Sequence, residues 1–377
     1  MLLVTVFLVT RGHGVSVSHG GKNSKTRENE KIATCGRFWY NAAEVRIMSN
    51  VTYLETGSTD PAYNLAFEEY VLIHRTQGDY LLLWQNDNTI VVGQNQNTAQ
   101  EIDPAFVKEH HITVVRRGTG GGAVYHDLGN LNYSFITDTG AAERLTMDRF
   151  TRPIVEALQN LGLNAEASGR NDILVEGRKV SGTAQRLVHG RILHHGTLLF
   201  DSRPEMIAGA LRVDQAKFTS KSAKSVKSRI GNIREFLPAD MTLPEFWEYL
   251  KRQLAGTGLV QSALTADELA QVSRLADEKY RTWEWTYGRS PKFDMVKRNY
   301  FTGGRLEVGV SVDHGSITEI RFYGDFLSLT DTTPLCRALE GVAYREDAVA
   351  AVLDSQPMAE MFGGITRDEV LRTIFNQ

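Results

Sequence analysis

The chain has 377 residues, of which 42% are hydrophobic and 23% are charged, and its formal net charge is −3. This length allows two domains, and the composition is that of a globular protein rather than a disordered or fibrous one. No apolar run approaches the roughly 20 residues that span a bilayer, so we expect no membrane partner. We expect no nucleic-acid partner either.

The first 47 residues differ in charge and composition from the rest. Residues 1–50 contain seven Lys and Arg against three Asp and Glu. The stretch 12–31 is rich in glycine, serine and charged residues, a composition that does not support a packed core. We therefore predict a disordered extension over residues 1–47, with Met48 as a candidate start of translation.

Helical and strand patterns follow the extension in turn. Asp60 and Pro61 mark a helix start, and apolar residues keep helical spacing from there to about His74. We predict paired strands over Tyr80–Trp84 and Thr89–Gly93. Further predicted elements, in chain order, are a short helix at 104–110, a strand at 113–116, an amphipathic helix at 148–161, strands up to 200, and helices near 203, 243 and 265.

The most informative stretch runs from Arg116 to Asp127. Two fixed cations precede four glycines in five positions, 118 and 120–122, so an anion could approach the backbone amides closely. Leu131, Tyr133 and Phe135 then alternate with polar residues, which predicts a half-buried strand. A dinucleotide site requires a helix here, and no Walker-type glycine-lysine run occurs, so the sequence argues against both kinds of nucleotide loop.

A second polar cluster lies in a predicted hairpin some fifty residues further on. Ile173–Val175 is predicted as a buried strand, with Glu176 and Gly177 at the turn. Strict alternation predicts two faces on the return strand, with Lys179, Ser181 and Thr183 on one and Val180, Gly182 and Ala184 on the other. A lysine beside two hydroxyls suits a binding site, whereas an isolated edge-strand lysine is more often solvated.

A domain boundary is predicted at the turn-rich stretch 288–291. Beyond it, residues 305–312 and 317–323 alternate as strands, and helices are expected near Leu335, Asp347 and Arg367. This order predicts a small α+β unit at the C-terminal end.

Together these segments resemble the lipoate-protein ligase family. The resemblance rests on RRGTGGGAVYHDLGN from Arg116, GRNDI from Gly169, RKVSGTA from Arg178, HHGTLLF from His194, and the Trp-Glu-Trp run at 283–285. It covers the chain from about Tyr53 to the C-terminus. It implies an α+β fold, with a mixed β-sheet catalytic domain of the biotin/lipoate ligase type over 48–290. A smaller α+β accessory domain over 291–377 would move against it.

The resemblance also implies an activity. ATP would activate lipoate as lipoyl-AMP, and the lipoyl group would pass to a lysine of lipoyl domains. The acceptors would be the acyltransferase subunits of 2-oxoacid dehydrogenases and the glycine-cleavage H protein.

Site residues follow from the same resemblance, position by position. Residues 217–229 would be a mobile loop that closes over the adenylate, and Asp172 would help to hold Mg²⁺, while the role of Asn171 stays open. The expected ATP contacts are Arg117, Gly122, Ala123, Val124, Tyr125 and Lys179, and the expected lipoate contacts are Lys179, Arg116, Gly121 and His126.

Two alternatives remain from the residues alone. The first is an ATP-independent lipoyl or octanoyl transferase, and related transferases of similar fold carry the acyl group on a cysteine. This chain has only Cys35 and Cys336, one in the extension and one in an apolar setting, which disfavours that route and a disulfide. We therefore expect a cytoplasmic protein. The second alternative is a non-catalytic lipoate- or nucleotide-binding protein.

Overall fold

The computed structural model describes residues 51–139, 147–211, 229–255, 258–288 and 293–375, all within one compact unit. The predicted extension and nearly all of the predicted mobile loop at 217–229 lie outside the described residues. No helix in the described ranges is long and apolar enough to cross a membrane.

A mixed sheet of eight strands forms the centre of the protein. Its strands are β1 Val51–Glu55, β2 Asp79–Trp84, β6 Asn130–Asp138, β7 Ala165–Ser168, β8 Asp172–Val175, β9 Arg178–Val188, β10 Arg191–Leu199 and β11 Val260–Gln261. The order across the sheet is β11-β1-β2-β6-β10-β9-β8-β7. Strand β1 runs parallel to β2 and β11, and the other pairs are antiparallel, which confirms the predicted mixed sheet.

Helices cover both faces of this sheet. The predicted first helix is confirmed as α1, Pro61–His74, where the Asp60 side chain caps the Ala62 amide and proline occupies the first turn. Helix α1 packs on one face together with α7, Ala266–Leu275. On the other face lie α4, Met147–Asn160, and α6, Leu243–Ala255.

A separate three-stranded sheet carries the glycine-rich stretch. It consists of β3 Thr89–Val92, β4 Thr113–Arg116 and β5 Val124–His126, in the order β4-β3-β5. The short helices α2 Thr98–Glu101, α3 Pro104–Glu109 and α5 Pro204–Ala210 lie close in sequence or space to these strands.

The prediction that residues 80–84 and 89–93 pair with each other is wrong. Strand β2 pairs with β1 and β6, whereas β3 pairs with β4 and β5. The reason lies in the connection between them. The Asn64 side chain donates to the Gln85 carbonyl at 2.7 Å, and Asn88 adopts a φ of 40°, so the chain leaves the large sheet after Trp84.

The C-terminal part of the chain has its own hydrophobic core and its own antiparallel sheet. Two of its strands, β13 Gly304–Asp313 and β14 Ser316–Gly324, were predicted, and β12 Met295–Phe301 was not. Its helices, which follow a short α8 at Trp283–Thr286, are α9 Thr333–Leu339, α10 Glu346–Asp354, α11 Met358–Phe362 and α12 Arg367–Phe375.

A buried carboxylate ties α1 to two other parts of the fold. Glu69 is 5% exposed, and its oxygens accept hydrogen bonds from Lys279 at 2.7 Å, Arg186 at 2.9 Å and the Tyr280 hydroxyl at 2.8 Å. Burial alone would raise the pKa of Glu69, but Lys279 and Arg186 hold it below the ordinary value. A folded-state pKa below the unfolded one stabilises the protein at neutral pH, and this contribution disappears as the pH falls through the folded pKa.

We predict that Glu69→Gln lowers the free energy of unfolding by about 3–5 kcal/mol at pH 7, because two cations lose their buried partner. The variant should also lose less stability than the wild type on acidification below pH 4.5, the ordinary glutamate value. Urea unfolding between pH 3.5 and 7 measures both effects. Glu248→Gln, which changes an exposed carboxylate 3.7 Å from Lys251, is the control and should change little. Equal pH profiles for Glu69→Gln and wild type would contradict the assignment.

Candidate functional site

A cavity of about 630 Å³, including its open mouth, lies between the large sheet and the small one. Several predicted site residues meet in its wall. The lining residues are Leu65, Trp84, Val91, Arg117, Gly121, Gly122, Ala123, Val124, His126, Asn132, Asn171, Lys179, Gly182, Thr183, Ala184, His195, Gly196 and Thr197.

One row of the large sheet forms much of the cavity floor. Trp84 pairs with Asn132, and Asn132 pairs with Thr197, so these side chains point to the same face. Strand β6 was predicted to be half buried, but every residue except Asp138 is buried. The polar side chains of β6 face the cavity and helix α1 rather than solvent.

The glycine loop is held by the buried side chain of Arg117. Its Nη2 donates to the carbonyls of Gly120 at 2.6 Å and Gly122 at 2.9 Å, and its Nη1 donates to Val91 at 3.1 Å. Gly121 has a φ of 89°, which glycine adopts without strain. Burial lowers the pKa of Arg117 to about 10, with Glu68 opposing the shift, so the guanidinium stays charged at neutral pH.

A hydrogen-bond path connects this loop to α1. Arg117 Nε donates to Thr119 Oγ1 at 2.9 Å, and Thr119 Oγ1 lies 2.8 Å from His195 Nε2. The other ring nitrogen of His195 donates to Glu68 at 2.9 Å, and Glu68 accepts from Ser134 at 2.6 Å. His195 belongs to the HHGTLLF motif, but no role in the site was predicted from the sequence for His195 or Glu68. Their pairing joins residues 127 positions apart, which no local pattern can show.

Arg116, expected to contact lipoate, lies outside the cavity wall. The side chain is 0% exposed. Its guanidinium donates to the carbonyls of Gly93, Gln94, Gln96, Trp285 and Thr286. Strand β4 alternates, so Arg116 and Arg117 cannot both face the same ligand. We therefore remove Arg116 from the proposed lipoate contacts and assign it to the packing of residues 285–286.

Tyr125 also lies outside the cavity wall. Its hydroxyl donates to Asn88 Oδ1 at 2.9 Å, so the side chain points away from the glycine loop. The adjacent residues Val124 and His126 do line the cavity.

Lys179 reaches the cavity through a β-bulge that the sequence did not reveal. Strand β8 advances by one residue from Ile173 to Leu174, while its partners on β9 shift from Ser181 to Lys179. The extra residue reverses the alternation, so Lys179 shares a face with Gly182 rather than with Ser181 and Thr183 as predicted. A Cβ on Gly182 would lie 3.3 Å from the Lys179 ammonium, so Gly182 forms the surface beneath it.

The Lys179 ammonium pairs with Asp172, with 2.7 Å between Nζ and Oδ1. About a third of the Asp172 side chain is exposed, although Oδ1, the oxygen that faces Lys179, is itself buried. No group of three or more potential metal ligands occurs among the residues that the structure describes.

The C-terminal part of the chain contacts the glycine loop directly. The Gly121 amide donates to the Phe326 carbonyl at 3.1 Å, and a Cβ on Gly120 would lie 2.8 Å from that same oxygen. Asn95 Nδ2 donates to Ser328 Oγ at 3.1 Å nearby. In this arrangement the Gly121 amide already has an acceptor.

We predict that Arg117→Lys lowers the free energy of unfolding by about 1–3 kcal/mol and speeds hydrogen exchange of residues 118–124. An ammonium cannot serve Thr119, the two loop carbonyls and the Val91 carbonyl in the planar arrangement that the guanidinium provides. Urea unfolding and exchange mass spectrometry measure the two effects. Arg203→Lys is the control, because that side chain is 55% exposed. Unchanged exchange in the loop would show that other contacts hold it.

Comparisons with known proteins agree on one family. Residues 60–255 match the lipoyl protein ligase A/B catalytic domain, and residues 290–374 match the bacterial lipoate protein ligase C-terminus. The lipoate-protein ligase LplJ of Bacillus subtilis (strain 168) is 42% identical over 321 residues, which cover 84% of this chain and 97% of that protein.

Solved structures show the same relationship. P. falciparum LipL1 in complex with lipoate has a similar fold, with a TM-score of 0.72 and 23% identity over 87% of this chain and 100% of that one. Lipoate-protein ligase A bound with ATP has a TM-score of 0.54 and 27% identity, and covers 64% of this chain and 98% of that one. The chain belongs to the lipoate-protein ligase family.

Proposed function

We propose that this chain activates lipoate with ATP and transfers the lipoyl group to a lysine of a lipoyl domain. The observation that carries the proposal is the position of Lys179, whose ammonium stands over Gly182 in the wall of the cavity that the glycine loop closes. We also propose that catalysis belongs to residues 48–290 and that residues 291–377 form an accessory domain.

The first half-reaction must join two anions. A carboxylate oxygen of lipoate attacks the α-phosphorus of ATP, a P–O bond forms, and pyrophosphate leaves. Two unit charges about 4 Å apart repel by roughly 4 kcal/mol at an effective dielectric near 20. The Lys179 ammonium offsets this repulsion, and the amides of residues 122–124 provide donors for the phosphates.

We propose that Asp172 contributes a carboxylate oxygen to a divalent cation that arrives with ATP. Mg²⁺ is usually bound by one or two carboxylates together with substrate phosphates, so the partly exposed Asp172 would suffice on the protein side. The ion would supply positive charge near the departing pyrophosphate.

In the second half-reaction the acceptor lysine attacks the carbonyl carbon of lipoyl-AMP. An amide bond forms, AMP leaves, and charge develops on the carbonyl oxygen. Among the described lining residues, the Arg117 guanidinium already donates to three carbonyls, so Lys179 is the cation available to that oxygen, and a donor placed there in advance lowers the barrier. The proposed acceptors are the acyltransferase subunits of 2-oxoacid dehydrogenases and the glycine-cleavage H protein.

A cysteine-linked transfer has no support in the cavity. Its wall, as far as the structure describes it, contains no cysteine. Cys336 is 1% exposed in the C-terminal core, and burial raises its pKa to about 11, so its thiol stays protonated and inert. Cys35 lies outside the described residues.

Exchange of labelled pyrophosphate into ATP tests the proposed activity. We expect exchange that depends on lipoate, because adenylation is reversible before transfer. Octanoate and biotin, assayed in parallel, define the acid that the site accepts. Lipoyl transfer without ATP would favour the thioester mechanism, and lipoate binding without exchange would favour a non-catalytic protein.

We predict that Lys179→Ala slows both adenylation and transfer from supplied lipoyl-AMP by about 10²–10³, the usual effect of losing one donor placed to stabilise developing charge. Lys179→Arg should not restore either rate, because a planar guanidinium is larger and directs its donors differently. ATP binding should weaken less, since the loop amides remain. Lys108→Ala, at an exposed position, is the control. Near wild-type rates in both half-reactions would leave Lys179 as a surface lysine only.

A further inference from the structure

The amide orientations around Asn64 are fixed by two backbone carbonyls. Asn64 Nδ2 lies 2.7 Å from the Gln85 carbonyl and 3.1 Å from the Ser58 carbonyl. Carbonyl oxygens only accept, so this atom must be the NH₂ group. The same NH₂ group lies 3.0 Å from the Asn86 side chain and shares its two hydrogens among three acceptors, because an Asn86 NH₂ group in that position would place two donor groups against each other. The carbonyl oxygen of the Asn86 side chain therefore faces Asn64.

The orientation of Asn86 in turn fixes the tautomer of His126. With its oxygen directed at Asn64, Asn86 presents its NH₂ group to His126 Nδ1 at 3.1 Å. Nδ1 must accept this bond, so in the neutral ring the proton resides on Nε2. Burial, together with Arg117 and His195, lowers the pKa of His126 to about 3, so the ring is neutral at physiological pH.

This arrangement leaves a buried N–H without an acceptor. His126 is 3% exposed and lines the cavity, and its Nε2 has no hydrogen-bond partner within the part of the chain that the structure describes. Asn132, 2% exposed and also in the cavity wall, pairs through its side-chain amide with that of Asn130, and each of these two amides keeps one atom without a partner in the same described ranges. Unpaired buried donors cost free energy unless a ligand satisfies them.

His126 and Asn132 lie in the cavity wall at a distance from Lys179. Asn132 pairs with Thr197 on β10, and Thr197 Oγ1 accepts from the Gly182 amide on β9. Gly182, beneath the ammonium, is thus two strand spacings from Asn132, about 10 Å. His126 contacts Asn86, two residues beyond Trp84, and Trp84 pairs with Asn132. An acid whose carboxylate meets Lys179 therefore extends its far end toward His126 and Asn132.

We propose that Asn64 and Asn86 are positioning residues that keep His126 as an Nε2–H donor, and that this donor selects acids with a hydrogen-bond acceptor at the end remote from the carboxylate. The inference rests on the proposed function, because it assumes that the carboxylate lies at Lys179. It gives the site a chemical reason to distinguish lipoate from octanoate.

Lipoate and octanoate share a carbon chain but differ at this far end. The dithiolane sulfurs of lipoate are weak acceptors, whereas octanoate has none, so octanoate would leave the buried His126 donor unpaired. Sites that hydrogen-bond a substrate group reject analogues that lack it, because their own polar groups then lose their partners.

Asn86→Asp tests the inference with little change of shape. The new carboxylate still accepts from Asn64 but also requires a proton from His126 Nδ1, so the tautomer inverts and Nε2 becomes an acceptor. At pH 8, above the ordinary histidine pKa, ¹⁵N spectra of the full-length protein should show Nε2–H in the wild type and Nδ1–H in the variant. The ratio of kcat/KM for lipoate over octanoate, from pyrophosphate exchange, should fall about 5- to 10-fold.

His126→Phe, which removes the donor, should lower the same ratio. Gln185→Glu is the matched control: Gln185 Nε2 faces His194 Nδ1 at 3.0 Å, and His194 lies outside the cavity wall. That change should invert the His194 tautomer and leave the substrate ratio unaltered. A wild type with Nδ1–H at His126, or an unchanged ratio in both cavity variants, overturns this inference. A wild type that shows no lipoate-dependent exchange refutes the proposed function instead.

Discussion

The site depends on one buried cation. Arg117 fixes the conformation of the glycine loop through carbonyl acceptors, and it starts a path through Thr119, His195 and Glu68 to Ser134. This path runs from the glycine loop to β10 of the large sheet and then through Glu68 of α1 to β6 of the same sheet. Because each member is buried and paired, the loss of any one leaves a neighbour without its partner. The cavity shape and the position of the loop amides are therefore determined together.

The positions of helices and strands along the chain were predicted better than the pairing of those strands in the sheets. Helix α1, the hairpin around Glu176 and strands β13 and β14 were found because their signals are local: a proline start, a two-residue turn, regular alternation. The predicted pairing of β2 with β3 is wrong, because Asn64 binds the carbonyl of Gln85, twenty-one residues later, where the chain leaves the large sheet after Trp84. Strand β12 alternates between exposed and half-buried positions and carries a weak signal.

For the site, motif residues were identified but their geometry was not. The cavity gathers Arg117, the loop residues 121–124, His126 and Lys179, which the resemblance had indicated. It excludes Arg116, which alternation along β4 directs elsewhere. The bulge at Val180 and Ser181 places Lys179 on the opposite face of β9 from the one predicted. One extra residue in a strand changes the face on which the preceding side chains lie. Tautomers cannot be predicted from sequence, since the proton on His126 depends on carbonyls in two distant segments.

Gly182 has a consequence for how Lys179 can move. In the proposed reaction, negative charge concentrates first between carboxylate and phosphate and later on the carbonyl oxygen, at two different points in space. A side chain at position 182 would meet the ammonium at 3.3 Å and hold it to one of them. Without one, the flexible lysine stem can swing between Asp172 and either point while the strands stay still. The absence of a side chain at position 182 would thus allow the Lys179 ammonium to stabilise both proposed transition states in turn.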